Sequence, residues 1–206
     1  MTAKQNRLWL VMTFMLAVVC TVALSASASA LRDSSVLRPP KGAKVALIVF
    51  EDLQCPDCAR AHALLEEAAR TYKIPLVRYD FPLPMHDWAF EAAVIARYFD
   101  TKPKKLGDEF RAAIFKNQQK ITKDNLRTFA EQFAQMQKTT LPFACDPQGK
   151  LAAAVRADRD LAQRLGLQHT PTIYVVNNSR EGTPFVEVVD RGQLFQMIDA
   201  MKAEAE

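Results

Sequence analysis

Cysteine is scarce in this chain of 206 residues. Four cysteines are too few for a disulfide-dense scaffold, in which several bridges hold a short chain together. The sequence also lacks internal repeats, low-complexity tracts and blocks of five or six like charges. Hydrophobic residues make up 49% and charged residues 24%, which excludes whole-chain disorder, collagen and coiled coils. The length fits one globular domain with room for an embedded subdomain.

The longest apolar run lies near the N-terminus and predicts a targeting segment. Lys4 and Arg7 precede an uncharged run at residues 8–24, and a small-residue tract with the pattern Ala-x-Ala follows up to Ala30. This order is typical of a secretory signal peptide, so we expect residues 1–30 to be removed and residues 31–206 to fold. An uncleaved membrane anchor is the alternative, because the run is near the shortest length that spans a bilayer. Cys20 lies inside this run and is interpreted as apolar filler.

The net charge of +4 is not strong evidence for an acidic partner, because half of it belongs to the expected targeting segment. Lys4 and Arg7 account for two of the 27 basic residues, which leaves 25 basic residues against 23 acidic ones. A nucleic-acid surface needs a concentrated basic face, and the densest basic cluster is the short segment 102–105. The sequence therefore does not predict a nucleic-acid partner.

The hydrophobic pattern predicts a βαβ unit, a helical block and a ββα unit. The first two strands should be parallel because a helix joins them, and the last two antiparallel because they lie at hairpin distance. We therefore predict an α/β fold, a mixed sheet with an all-helical insertion at about residues 87–165. Strands are predicted at 45–50, 74–81, 172–177 and 185–190, and helices at 58–72, 88–99, 104–117, 123–136, 150–165 and 193–202.

A Cys-x-x-Cys motif, Cys55-Pro56-Asp57-Cys58, lies where the first predicted helix begins. The amides and dipole of a helix N-terminus stabilise a thiolate there by about 0.3–1 kcal/mol. Since the thiolate is the nucleophile of disulfide exchange, we expect Cys55 to be the attacking sulfur and Cys58 the resolving sulfur. Pro56 lies in the first helical turn, which tolerates a residue without an N–H.

Half of a zinc site is the structural alternative for this motif. Zinc would need two further ligands at suitable spacing, and the chain offers only Cys145, His62, His86 and His169, none of them paired. An export signal also favours disulfide chemistry over structural zinc. A purely structural disulfide is a weaker alternative, because a loop of four residues removes little chain entropy.

The active-site sequence resembles the DsbA-like branch of the thioredoxin superfamily. Residues 49–58 are similar to the active-site region of that family, residues 158–172 to the approach to its cis-proline, and the helical block to its insertion. The resemblance covers about residues 42–204 and implies a thioredoxin-like mixed sheet with an inserted all-helical subdomain. It implies that Cys55 and Cys58 exchange electrons with substrate thiols through a mixed disulfide. Pro171 would be the cis-proline facing the pair, and Thr170 would offer its backbone to an extended substrate peptide.

Two departures from the family pattern concern the charges near the dithiol. Asp57 stands where strongly oxidising members have histidine, and a carboxylate opposes a nearby thiolate. We therefore expect the pKa of Cys55 to be less depressed and the protein to be a milder oxidant. Val49 stands where many relatives carry a buried acid. Glu51 and Asp52 are close by, but we expect both to lie in a solvated turn, so an acid that relays protons is not predicted.

Two further residues have open interpretations. His169 stands where relatives often have glycine, and it either tunes the dithiol together with Pro56 and Asp57 or lies on the surface where a strand begins. Cys145 is the odd cysteine of residues 31–206. We interpret it as a buried small hydrophobic residue, with intermolecular pairing or a regulatory thiol as the alternatives.

The resulting hypothesis is an exported thiol-disulfide oxidoreductase that forms or exchanges disulfides in secreted, cysteine-containing proteins. We expect it in the periplasm or at the extracytoplasmic face of the membrane, without a cofactor or metal, and reset by a membrane redox partner. Residues 31–44 are too few for a dimerisation domain, which favours a monomer. The alternatives are the reductase or isomerase direction at the same site, or an exported copper-delivery protein, because soft thiolates suit Cu(I). A cis-proline facing the cysteines would crowd out a metal.

Overall fold

The computed structural model describes residues 34–103, 106–180 and 184–206, so the expected signal segment 1–30 lies outside the described residues. The described part contains four strands, six α-helices and three short 3-10 turns. The strands are β1 (Val45–Glu51), β2 (Leu76–Asp80), β3 (Thr172–Asn177) and β4 (Phe185–Glu187). The helices are α1 (Pro56–Tyr72), α2 (Ala89–Asp100), α3 (Leu106–Asn117), α4 (Leu126–Met136), α5 (Lys150–Arg164) and α6 (Leu194–Ala203), and the 3-10 turns are Ser34–Val36, Gln118–Lys120 and Arg191–Gln193.

The strands form one mixed sheet in the order β2-β1-β3-β4. β1 pairs parallel to β2 and antiparallel to β3, and β4 pairs antiparallel to β3. All seven residues of β1 are buried, as a continuous apolar run in a central strand requires. Four helices, α2 to α5, lie between β2 and β3 in the chain. The predicted α/β fold with a mixed sheet is confirmed.

The start of α1 and the end of β4, both close to the Cys-x-x-Cys motif, differ from the positions predicted from the sequence. α1 begins at Pro56, because a proline is accommodated in the first turn of a helix. β4 ends at Glu187 and not at residue 190, because Asp190 leaves the sheet and caps the following 3-10 turn. Its carboxylate accepts a hydrogen bond from the Gly192 amide at 2.9 Å.

The apolar side chains form three clusters that place the Cys-x-x-Cys motif between the sheet and the insertion. One face of the sheet packs on α1 and α6, and the other face packs on residues of α5 that include Leu161 and Ala162. The third cluster is the core of the insertion, and Cys55 and Cys58 pack against it. None of the helices in the described ranges is long and apolar enough to cross a membrane.

Candidate active site

The two cysteines of the motif lie at the N-terminus of α1. Cys55 precedes the helix with extended backbone angles (φ −75°, ψ 121°), Pro56 opens it, and Cys58 follows in the first turn. Cys55 is 7% exposed and Cys58 is 2% exposed, so the first sulfur lies nearer the surface. Both cysteines are free, with no disulfide bond between them. The structure is therefore that of the reduced dithiol.

The pKa values of the two thiols are shifted in opposite directions. A hydrogen bond from the Cys58 thiol, with further help from Thr170 and the amides of Cys58 and Asp57, outweighs burial and lowers the pKa of Cys55 to about 5. Burial raises the pKa of Cys58 far above its ordinary value, and the neighbouring Cys55 sulfur adds to this. The reduced site at neutral pH is thus a Cys55 thiolate that accepts a hydrogen bond from a Cys58 thiol.

The loop before β3 brings a cis-proline to the dithiol. The Thr170–Pro171 peptide bond is cis, and both residues are buried. In the thiol form, Cys55 Sγ donates to the Thr170 carbonyl at 3.3 Å, across 115 positions of the chain. His169 is exposed, and its carbonyl accepts a hydrogen bond from the Thr172 hydroxyl at 2.8 Å. The sequence-predicted residues Cys55, Cys58, Thr170 and Pro171 therefore meet at one place.

Asp57, between the cysteines, is paired with two arginines. Arg191 Nη2 lies 2.7 Å from Asp57 Oδ1, and its Nη1 donates to the Asp57 carbonyl at 3.4 Å. Arg60 Nη2 lies 3.0 Å from the same carboxylate oxygen. Burial disfavours the charged form of Asp57, but the hydrogen bond and charge of Arg191, aided by Arg60, lower its pKa overall. The carboxylate beside Cys55 is therefore ionised, and the two arginines neutralise part of its charge.

Glu51 and Asp52 are buried, so their expected place in a solvated turn is wrong. Asp52 is 1% exposed, because β1 extends to Glu51 and the following residues turn inward beneath α1. The Asp52 amide donates to Cys58 Sγ at 3.4 Å. Its carboxylate accepts hydrogen bonds from the amides of Gln54 and Leu83, each at 2.7 Å, and lies 2.8 Å from His86 Nδ1. Asp52 thus holds the backbone that surrounds the buried thiol.

Glu51 belongs to a group of buried charges, here called the inner cluster: Glu51, Arg78, Asp80 and Arg111. Arg78 Nη1 donates to both carboxylate oxygens of Glu51, at 3.0 and 2.9 Å. Arg111 reaches from the insertion to within 4.0 Å of Glu51 and of Asp80, and binds Asp100 through two hydrogen bonds of 2.8 and 2.9 Å. Burial raises the pKa of Glu51 against the opposing charges of Arg78 and Arg111. The inner cluster links the sheet to the insertion beneath the dithiol.

The fold and the dithiol can now be compared with known proteins. A sequence profile of the thioredoxin family matches residues 40–190, which is more than half of the chain. This chain belongs to the thioredoxin family. A search of curated protein sequences found no match.

Solved structures with a similar fold include two DsbA proteins and one ScsC protein. Wolbachia pipientis α-DsbA1 is 17% identical with a TM-score of 0.65, over 81% of this chain and 89% of that one. Pseudomonas aeruginosa DsbA2 is 18% identical with a TM-score of 0.56, over 80% and 92% of the two chains. Proteus mirabilis ScsC is 20% identical with a TM-score of 0.61, over 97% and 91%. The resemblance to DsbA-like proteins is confirmed at the level of the fold.

In this thioredoxin-family site, the insertion also holds the active-site loop. Gln118, in the 3-10 turn after α3, donates from Nε2 to the carbonyls of Leu53 at 2.9 Å and of Cys55 at 3.0 Å. Beside it, a groove of about 760 Å³ runs from Gln54 and Pro56 along the end of α3. Its walls contain apolar side chains, three basic ones and no acidic one; they include Trp88, Phe115, Ile121, Arg60, Lys116 and Lys120.

Of the other metal-ligand and thiol candidates, His86 contacts Asp52 and Cys145 packs against the core of the insertion. No group of three metal-ligating side chains occurs within residues 34–103, 106–180 and 184–206. Cys145 is a half-buried free thiol that packs against the core of the insertion, and burial raises its pKa. Sequence reasoning missed Arg191 and Gln118, which contact Asp57 and Cys55 from 134 and 63 positions away. No local pattern marks either residue.

Proposed function

We propose that this protein is an exported thiol-disulfide oxidoreductase that introduces disulfides into secreted proteins through Cys55 and Cys58. The observation that carries the proposal is the dithiol at the start of α1, with Cys55 Sγ 3.3 Å from the Thr170 carbonyl of the cis Thr170–Pro171 loop. This arrangement lowers the pKa of Cys55 to about 5. A stabilised thiolate favours the reduced enzyme. An enzyme whose reduced form is favoured tends to take electrons from substrate thiols.

The extent to which the pKa of Cys55 is lowered supports a protein of moderate oxidising power. A pKa of about 5 for Cys55 lies between about 3.5 for the strong oxidant DsbA and about 7 for thioredoxin. The corresponding reduction potentials are about −120 and about −270 mV, so we propose a potential between them. The expectation of a milder oxidant thus stays part of the proposal. The presence of Asp57 beside the dithiol is compatible with moderate oxidising power, because Arg191 and Arg60 neutralise part of the charge of Asp57.

The reaction begins with the enzyme in the disulfide form. A substrate thiolate attacks Cys55 Sγ, the Cys55–Cys58 bond breaks, and a mixed disulfide forms. The electron pair leaves on Cys58, which takes up a proton because its pKa is raised. A second substrate thiolate then attacks the substrate sulfur of the mixed disulfide, and Cys55 leaves as a stabilised thiolate. Two electrons have passed to the enzyme, and the substrate has gained one disulfide.

Two surfaces beside Cys55 are proposed to hold the substrate. The Thr170–Pro171 loop lies against the sulfur, and the backbone of Thr170 is proposed to align an extended peptide there. The groove next to Gln54 and Pro56 combines apolar side chains, Trp88, Phe115 and Ile121 among them, with amide and basic ones, and is suited to an unfolded segment. We propose cysteine-bearing polypeptides, rather than small thiols, as substrates.

The place of action and the partner follow from the same chemistry. The signal-like segment 1–30 supports an extracytoplasmic location, and one protein with a similar fold is described as a periplasmic thioredoxin-like protein of Salmonella enterica serovar Typhimurium. The reduced dithiol must pass its two electrons onward for another turnover. We propose a membrane partner that carries a disulfide, and a monomeric enzyme.

The proposal is tested by equilibrating the Cys55–Cys58 couple with glutathione buffers and by following oxidation of a reduced, unfolded test protein. We expect a potential between about −270 and about −120 mV, and oxidation that stops in a Cys55→Ser variant. A potential at or below −270 mV, with rapid insulin reduction, would favour a reductase. Stoichiometric metal in the purified protein, together with no exchange activity, would favour copper delivery.

A further inference from the structure

Asp57 is the one charged residue between the two cysteines, and its partner comes from the far end of the chain. Arg191 opens the 3-10 turn after β4 and contacts both the carboxylate and the carbonyl of Asp57, at 2.7 and 3.4 Å. Arg191 and Asp57 are 33% and 35% exposed, so water screens the pair only in part. The contact brings a fixed positive charge to the helix turn that carries the active-site sulfurs.

We propose that Arg191 is a positioning residue that sets the stability of the Cys55 thiolate by holding and neutralising Asp57. The proposal deepens the proposed function, because it identifies how the exchange chemistry at Cys55 is tuned. Asp57 without Arg191 would place an uncompensated negative charge two residues from the attacking sulfur. Arg191 without Asp57 would leave an uncompensated positive charge at the same place.

The other charges around the dithiol do not replace this pair. Arg60 contacts the same oxygen of Asp57, but its side chain is 67% exposed and held on the surface of α1. Glu51 and Asp52 approach from β1 and are bound within buried hydrogen-bond networks. His169, in the loop before Pro171, is exposed to solvent. A change at Arg191 therefore leaves each of these groups with its own partners.

Replacement of Arg191 and replacement of Asp57 are expected to shift the pKa of Cys55 in opposite directions. Replacement of Arg191 by alanine should raise the pKa of Cys55, because like charge opposes the thiolate. Replacement of Asp57 by asparagine should lower it. Each shift should be about half a unit, because both side chains are partly exposed, and half a unit is about a threefold change in thiolate fraction at a pH below the pKa. The double variant should return close to the original value.

The experiment measures the pKa of Cys55 from thiolate absorbance and from the pH dependence of alkylation. It uses the full chain in a Cys145→Ser background, so that the third thiol does not contribute. The variants are Arg191→Ala, Asp57→Asn, their combination, and Arg191→Lys, which keeps the charge and should shift the pKa less than alanine does. Arg60→Ala is the matched control, since it removes the more exposed arginine from the same carboxylate and should change the pKa least.

Opposite shifts in the single variants and cancellation in the double variant support the proposal. A merely structural role would move both single variants in the same direction, through disorder at the start of α1, and the double variant would not recover. That pattern, or an unchanged pKa in Arg191→Ala, overturns the proposal. The thiolate readout needs no substrate, so loss of the proposed oxidase function in the unmodified chain would leave this test intact.

Discussion

Two sets of charges lie near the same dithiol and differ in their burial. The inner cluster joins the sheet to the insertion, and its Arg78 and Glu51 have side chains only 6% and 2% exposed. Asp57 and Arg191, here called the outer pair, lie beside the sulfurs and are about one third exposed. Loss of one partner in the inner cluster leaves a charge in a medium that solvates it poorly, whereas water compensates much of the loss in the outer pair. We infer that the inner cluster acts on folding and the outer pair on the chemistry of Cys55.

Among the substitutions, the largest effect is expected from Arg111→Ala. Arg111 is 2% exposed, and its loss would leave Asp80 and Glu51 with fewer opposing charges and cut the contact between insertion and sheet. We expect the free energy of unfolding of the oxidised protein to fall by about 3–5 kcal/mol. Urea denaturation measures it, with Arg180→Ala as the control, since Arg180 is 90% exposed. If the two variants lose similar stability, burial does not decide what the loss of a paired arginine costs in this fold.

A smaller effect is expected from Glu51→Gln. The amide keeps the shape and one acceptor for Arg78 but removes the charge, so we expect a loss of about 2 kcal/mol in the free energy of unfolding. The negative charge of Glu51 also contributes to the raised pKa of Cys58, so that pKa should fall. Urea denaturation of the oxidised protein measures the loss of stability.

The matched control for this substitution is Glu66→Gln. Glu66 contacts the same Arg78, but its side chain is 42% exposed. We expect a loss below about 1 kcal/mol, as for other exposed pairs. An equal loss in both variants would show that the shared arginine, and not the burial of its partner, decides the cost.

The stability of the reduced protein should depend on pH, because the pKa values of Cys55 and Cys58 differ between the folded and unfolded states. The folded pKa of Cys55 is depressed from 9.0 to about 5, so its ionisation stabilises the reduced fold fully above pH 9 and loses this effect as the pH falls through about 5. The raised pKa of Cys58 has the opposite sign and destabilises the reduced fold above pH 9. The stability of the reduced form relative to the oxidised form should therefore rise from pH 5 to pH 9 and then fall. A flat difference between pH 5 and 9 would contradict the thiolate assignment.

The smallest effect is expected from Cys145→Ser, which touches neither set of charges. Cys145 packs half-buried against the insertion, so a hydroxyl in its place should cost at most about 1 kcal/mol in the free energy of unfolding. The potential of the Cys55–Cys58 couple and the pKa of Cys55 should stay unchanged. A clear change in the potential would revive the alternative that Cys145 is a regulatory thiol.

The sequence predicted the elements that rest on local patterns. The apolar run at residues 45–50 became β1, and the crossover helix behind it made β1 and β2 parallel. Gly166 follows α5 with a left-handed φ of 73°, a conformation that glycine adopts without strain after a helix. The positions of Cys55 and Cys58 at the start of α1 follow from the same pattern. In each case the signal lies within one element or its immediate neighbour, where hydrophobic periodicity and capping act.

The sequence alone thus predicted different places for the four cysteines: Cys55 and Cys58 in the redox pair, Cys145 as an odd thiol and Cys20 in the expected targeting segment. The sequence could not determine which charges surround that pair. Polar Glu51 and Asp52 suggested a solvated turn, but packing of the insertion over the end of β1 buried them. Arg191 reaches Asp57 across 134 positions. Burial and Coulomb energy depend on distances that only the packed chain sets, so the tertiary structure decided how acidic each sulfur is.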